Sequence, residues 1–325
     1  MPDLTMVEAL RSVLWSEMER DERVMVLGLD VGRLGGVFRV TQGLLERFGP
    51  ERVVDMPLAE GAIIGSSIGL ALGGLVPVPE IQFLGFTHQA MHQIGPQLGR
   101  YRFRSRGRFS CPVTIRAPFG GGVRTPEFHP DSMEAQFVQQ PGIKVVCPAN
   151  PYEAKGLLLE AIRDPDPVLF LEPQRLYRAE RVEVPDDDYQ IPFGRSRLAR
   201  EGTDVVLIAW SAAVELCLRA AAELEVEGVS AAVLDLRTLV PLDVEGLVRT
   251  ASDIGRAVVV QEAPLSGGFG AEIVATLQQE AFLSLDAPVA RVASWDTPYP
   301  PGSLETHFLP SLDRVMQAVR TTAAF

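Results

Sequence analysis

The sequence predicts an α/β fold in two units, a mostly parallel buried sheet followed by a second α/β unit. Three observations predict it. Short β-branched runs alternate with helical patterns along the chain. A Pro- and Asp-rich connector at 184–192, VPDDDYQIP, interrupts that alternation and has the composition of a solvated linker. The 325 residues, 46% of them hydrophobic, suffice for two cores rather than one. The expected units are therefore 1–190 and 191–325.

Each element has its own signal. Thr5 and Glu8 stand at the spacing of a capping box and predict a helix at the start of the chain. Asp3 and the lack of a basic lead-in argue against a secretory signal there. The runs at 24–28, 76–81, 113–116, 144–147 and 167–171 read as the strands of the first sheet. Beyond the connector, 204–209 reads as a strand, 212–226 as an amphipathic helix and 230–236 as a strand. A further strand near 258–262 leads into a glycine turn and a helix.

Residues 54–74, VDMPLAEGAIIGSSIGLALGG, carry a more particular pattern. Gly61, Gly65, Gly69 and Gly73 recur every four residues, so on a helix they line one side and let another backbone approach. A glycine inside a helix costs about 1 kcal/mol against alanine, so the stripe needs a packing partner. Glu60 stands at the mouth of this segment. Its plain reading is an acid favoured by the helix dipole; its functional reading is a carboxylate desolvated by Leu58, Ile63 and the glycine-lined interface, poised to share a proton with a ligand.

Composition excludes several classes. The formal net charge is −12, and the basic residues are scattered except for the run 100–106, RYRFRSR, so no nucleic-acid role is expected. Tyr101 and Phe103 within that run read as alternation on a structural helix or strand. Residues 61–79 lack charge but are broken by five glycines and two prolines, which argues against a membrane span. Cys111, Cys147 and Cys217 lie far apart in apolar surroundings and read as reduced core residues in a cytoplasmic protein. His88 and His92 have zinc-compatible spacing, but Gln89 occupies the place of a zinc protease's glutamate, so they are not assigned to a metal.

Several ordered motifs together resemble one family. They are GGVFRVT at 35–41, PLAE at 57–60, PEIQF at 79–83, GGGV at 120–123 with EFHPDS at 127–132, and DLRTL at 235–239. This set resembles the β subunit of the thiamine-diphosphate-dependent decarboxylase component of 2-oxo acid dehydrogenase complexes, nearly end to end. The resemblance implies a pyrimidine-binding α/β domain followed by a domain like the last domain of transketolase. It also implies an α2β2 heterotetramer with the cofactor between an α and a β subunit, and docking of the lipoyl acyltransferase core on the C-terminal domain. The family's magnesium and diphosphate are held by a Gly-Asp-Gly motif, and no Gly-Asp pair occurs in this chain. The α subunit is therefore expected to bring the Mg2+ site.

Site residues follow from the same resemblance. Glu60 would hydrogen-bond the pyrimidine nitrogen of thiamine diphosphate, Leu58 would meet the aminopyrimidine through its backbone, and Gln82 and Phe86 would line and stack on it. His129 would face the substrate, orienting its carboxylate or protonating the lipoyl sulfur. Gln82 also reads plainly as a strand-end cap. Val113, Ala161, Ile162, Asp164 and Asp166 match the family's potassium loop, whose plain reading is an Asp-Pro turn after a helix. Leu29 departs from the family, where an acid is usual, and leaves a catalytically silent docking paralogue as an alternative. The run 80–86, EIQFLGF, favours pyruvate over branched-chain 2-oxo acids as substrate. A nicotinamide enzyme is the weaker rival, because Gly267, Gly268 and Gly270 do not meet the G-x-G-x-x-G order.

Overall fold

The computed structural model describes residues 2–325. The chain begins with a two-residue strand, β1 (Asp3–Leu4), and the helix Met6–Arg20. Both bonds of the predicted capping box form, with Thr5 N donating to Glu8 Oε2 at 2.8 Å and Glu8 N to Thr5 Oγ1 at 3.4 Å. Met6, Leu10, Val13 and Leu14 bury the inner face of this helix, which packs on the helix Pro151–Arg163.

The first unit contributes β2 (Val24–Gly28), β3 (Val53–Asp55), β4 (Val76–Glu80), β5 (Thr114–Phe119), β6 (Lys144–Val146), β7 (Val168–Pro173) and β8 (Val182–Glu183). The second contributes β9 (Arg197–Arg200), β10 (Val205–Ala209), β11 (Ala231–Asp235), β12 (Thr238–Val240), β13 (Ala257–Pro264) and β14 (Ala290–Ser294). Among the described residues the large sheet has seven strands in the order β12-β6-β7-β5-β4-β2-β3, and the other has five in the order β14-β13-β10-β11-β9. Strands β2, β4, β5 and β7 are buried along their whole length, as expected for parallel strands covered on both faces.

Three findings differ from the sequence reading. Strand β5 runs on to Phe119, past Arg116, because that charge is buried and paired rather than exposed at a strand end. Strand β12 belongs to the second half of the chain yet lies antiparallel on β6, at the edge of the first sheet. The connector is no loose tether. Val184 is fully buried, Ile191 N donates to Gly156 O at 3.1 Å, Tyr189 stacks on Tyr152 at 4.6 Å and Asp188 pairs with Arg163 at 2.8 Å. Its apolar residues pin it between the acids.

The Arg-rich run forms a single helical turn, Tyr101–Arg104, in which Arg102 pairs with Asp166 at 2.5 Å and Phe103 is exposed. The three cysteines are buried and free. The glycines at 267–270 end on the helix Gly270–Glu280, where Gln261 Oε1 accepts from Gly270 N at 2.6 Å and closes that helix onto β13. No helix among the described residues is long and apolar enough to cross a membrane.

Candidate active site

Strands β5, β4, β2 and β3 are neighbours and mutually parallel, so the loops leaving their carboxyl ends meet at one edge of the sheet. In open α/β sheets ligands bind there. Leu29 and Asp30 leave β2, Leu58 and Glu60 follow β3, Gln82 and Phe86 follow β4, and His129 follows β5. The topology thus brings every predicted cofactor and catalytic residue to the same end of four adjacent strands.

Glu60 is the first residue of the helix Glu60–Leu72, whose early amides and positive dipole end suit a carboxylate. Its side chain is 4% exposed, and its Oε2 is buried without a hydrogen-bond partner. A buried carboxyl oxygen left so carries a desolvation cost of about 1–3 kcal/mol or more, so the folded chain presents an unmet demand for a hydrogen-bond partner. Gly61, next in the helix, is tight against Gln89 O, where an added Cβ would lie at 3.2 Å. That close approach packs the helix against residues 84–90, the segment carrying Phe86. Further along the stripe a Cβ at Gly69 would meet nothing within 4 Å among the described residues. Leu58 is 68% exposed beside this helix start, and Leu34 and Val37 are exposed on the loop after β2.

Gln82 is half-buried and donates through Nε2 to Asp30 Oδ2 at 3.4 Å, so it bridges two loops rather than capping its own strand. The His129 ring packs edge-on against Phe83 at 4.4 Å and Phe86 at 5.0 Å. Its Nδ1 lies 3.0 Å from Glu127 O. A carbonyl only accepts, so Nδ1 carries the hydrogen of this contact and Nε2 is left free to meet a ligand. The preceding Phe128 has φ 71, and a Cβ at Gly85 would overlap the Phe128 carbonyl, so the loop sits directly on the chain at 85.

Beneath the loops lies a charged floor that the sequence reading did not single out. Arg116 is fully buried and donates to Glu80 Oε2 at 2.8 Å and to Glu172 at 2.7 and 2.9 Å. Tyr177 Oη donates to Glu172 Oε2 at 2.5 Å. Burial works against the Arg116 charge, but the two carboxylates outweigh it and hold the guanidinium protonated. Burial and the Glu172 carboxylate push the Tyr177 hydroxyl well up, keeping it a donor. A glutamate near the end of each flanking predicted strand, with an arginine between, was the available signal.

The loop matched to a potassium site is differently committed. Val113 O accepts from Val168 N at 3.0 Å, and Ala161 O from Thr114 Oγ1 at 2.9 Å. Lys144 Nζ donates to both oxygens of Asp164, at 2.6 and 2.5 Å, and Arg102 takes Asp166. Two side-chain cations neutralise the carboxylates that would bind an ion. As folded, the loop meets these oxygens with donors of its own chain.

Two α/β sheets, with a ligand edge on the first and a buried, unpartnered acid beside it, fit a transketolase-like chain. The family model described as the transketolase pyrimidine binding domain matches residues 3–180, and that of the transketolase C-terminal domain matches 194–315. A solved structure titled "Split gene transketolase, inactive beta4 tetramer" superposes with TM-score 0.81 at 25% identity, covering 99% of both chains. Among curated proteins, the pyruvate dehydrogenase E1 component subunit beta of Bacillus subtilis is 50% identical over 325 residues, the whole of both chains. Those of Staphylococcus epidermidis and Staphylococcus aureus are 50% and 48% identical over the same full span. The chain belongs to the family of bacterial pyruvate dehydrogenase E1 β subunits.

Proposed function

We propose that this chain supplies the pyrimidine-side half of a thiamine-diphosphate site and acts, with an α subunit in an α2β2 assembly, in the oxidative decarboxylation of pyruvate and acyl transfer to a lipoyl group. The observation that carries this reading is the unpartnered, buried Oε2 of Glu60 at the ligand edge. Thiamine diphosphate, when bound, supplies an electron sink for the carbanion left by decarboxylation. Glu60 fits its pyrimidine nitrogen because the acid offers one oxygen with no competing partner, in a setting dry enough to strengthen the bond. The exposed Leu58 offers the ring its backbone and an apolar side chain, and Phe86 offers a half-buried aromatic edge. Gln82, steadied by Asp30, lines the neighbouring loop.

His129 orients the substrate carboxylate or donates a proton to the lipoyl sulfur through Nε2, since Nδ1 is engaged by Glu127 O. The exposed Leu34, Val37 and Leu58 and the open end of the glycine stripe mark the face that an α subunit would cover. That subunit would hold Mg2+ and the diphosphate, for which this chain has no Gly-Asp-Gly motif. The C-terminal domain would dock the lipoyl acyltransferase core.

The test is reconstitution with a cognate α subunit. Thiamine-dependent turnover, with pyruvate preferred to 3-methyl-2-oxobutanoate and a cofactor-induced circular dichroism band, is the expected result. Turnover by the lone chain would refute the shared site, and a reconstituted assembly with no induced band would make the chain a scaffold.

A further inference from the structure

At the junction of the two units, behind the His129 loop, lies a cavity of ≈ 10 Å³, bordered by Glu134 and Gln174 from the first unit and Trp210, Ser211 and Glu262 from the second. Glu134, Gln174, Ser211 and Glu262 are at least nine-tenths buried, being 1%, 3%, 4% and 7% exposed. Glu134 Oε2, Gln174 Oε1, Ser211 Oγ and Glu262 Oε1 each lack a hydrogen-bond partner. Four such atoms around one space of that size are a demand for a polar occupant, and a void of this volume admits about one water molecule.

The far ends of the same side chains are committed. Trp210 Nε1 donates to Glu134 Oε1 at 3.1 Å, and Gly121 N donates to Glu262 Oε2 at 3.1 Å. Arg175 lies 3.2 Å from Glu262 Oε1, so that oxygen is already balanced in charge. Gln174 Nε2 donates to Gly120 O at 3.0 Å and to His129 O at 2.7 Å. Both its N–H groups therefore face carbonyls. A flipped amide would set oxygen against oxygen twice, so Oε1 must face the cavity. Ser211 holds φ 55, a left-handed value unusual for serine, with its hydroxyl buried at the same place.

We propose that this cavity is a built site for a single water, which accepts from Ser211 Oγ, donates to Gln174 Oε1 and shares a hydrogen bond with Glu134 Oε2, and thereby positions His129 through the Gln174 amide. The unpartnered atoms of the lining are three acceptors, the Ser211 hydroxyl and the Arg175 Nε–H, so the occupant has both to bring protons and to accept one, as water does. Burial and the nearby Glu262 push Glu134 up to about 7, so its bond to the occupant runs in either direction near neutrality. Water accommodates both senses; a cation accommodates only the ionised acid, and the Arg175 guanidinium beside Glu262 opposes one. Gln174 and Glu134 are positioning residues in this scheme. Beside the direct contact of Glu262 with Gly121 N, the second unit thus gains a solvent-mediated route to the Gln174 amide that holds His129 O.

The functional half of the proposal rests on His129 acting in lipoyl acylation, and the experiments separate the two. A high-resolution crystal structure of the chain assembled with its α subunit should show one peak within hydrogen-bonding distance of Gln174 Oε1, Ser211 Oγ and Glu134 Oε2. An empty cavity, or a peak replaceable by thallium with an anomalous signal, overturns the water site. In the assembled complex Gln174→Leu should lower kcat for lipoyl acylation roughly three- to tenfold, the worth of one lost clamp. Decarboxylation read with an artificial electron acceptor should stay within about twofold, and Gln174→Leu should add nothing in a His129→Ala background. Full lipoyl acylation by Gln174→Leu, with His129→Ala impaired, overturns the positioning role alone. Unimpaired His129→Ala removes the role of His129 and leaves the water to be decided by the crystal. Should Gln174→Leu not fold, Ser211→Ala gives the same kinetic readout with smaller amplitude, and an unchanged rate there counts against the bridge.

Discussion

Replacing Glu134 with glutamine should change how stability depends on pH. The carboxyl is fully buried, accepts one bond from Trp210 and has Glu262 nearby, and its pKa rises from 4.5 to about 7. An acid whose pKa is raised on folding favours the folded state while protonated. Its contribution is complete below the unfolded value near 4.5 and is lost as pH climbs through 7. Two and a half units at 1.36 kcal/mol each give a span of about 3 kcal/mol. Glutamine keeps the Trp210 bond and does not titrate. The measurement is urea unfolding of parent and Glu134→Gln from pH 5 to 8, taking the difference at each pH so that other groups cancel. The parent should lose on the order of 3 kcal/mol relative to the variant across that range, most of it before pH 7.5. A difference flat to within about 0.5 kcal/mol, or one moving in the parent's favour as pH rises, would refute the burial argument.

Three other outcomes are expected. Arg116→Met strands Glu80 and Glu172 in the interior and should cost about 3–5 kcal/mol in the unfolding midpoint analysis; a loss below about 1 kcal/mol would refute the buried charge pairing. Glu60→Gln should leave folding intact while reducing thiamine-dependent turnover of the reconstituted assembly by at least about 100-fold, and near-parent turnover would remove Glu60 from the site. Gly85→Ala drives a methyl into the Phe128 carbonyl and should displace His129. Lipoyl acylation should then fall by about tenfold or more and the unfolding midpoint should drop with it, whereas a parent-like rate would show that the loop position is slack.

Much of the ligand edge was legible because its residues follow strands whose β-branched runs are plain in the sequence. Glu60 stood out as a lone acid before an uncharged helix, and His129 as a histidine in a glycine- and proline-rich loop. Their meeting depends on the order β5-β4-β2-β3, which only the pairing of strands reveals. Gln174 and Ser211 gave no local signal, for their significance lies in atoms 37 positions apart along the chain facing one cavity. Lys144 was read only as part of a strand, so its capture of Asp164 went unseen. In the connector, three aspartates dominated the composition while Val184 and Ile191 decided its packing.

The exchange of β12 also bears on how the chain can be divided. Cutting at residue 190 would strip Thr238–Val240 from Lys144–Val146 and leave a bare row of amides and carbonyls on the first half. Such a fragment should self-associate edge to edge, while the orphaned ribbon on the other half would dangle without a mate. The two halves are modular in family and interlocked in substance, and a soluble excised piece would have to carry its borrowed strand with it.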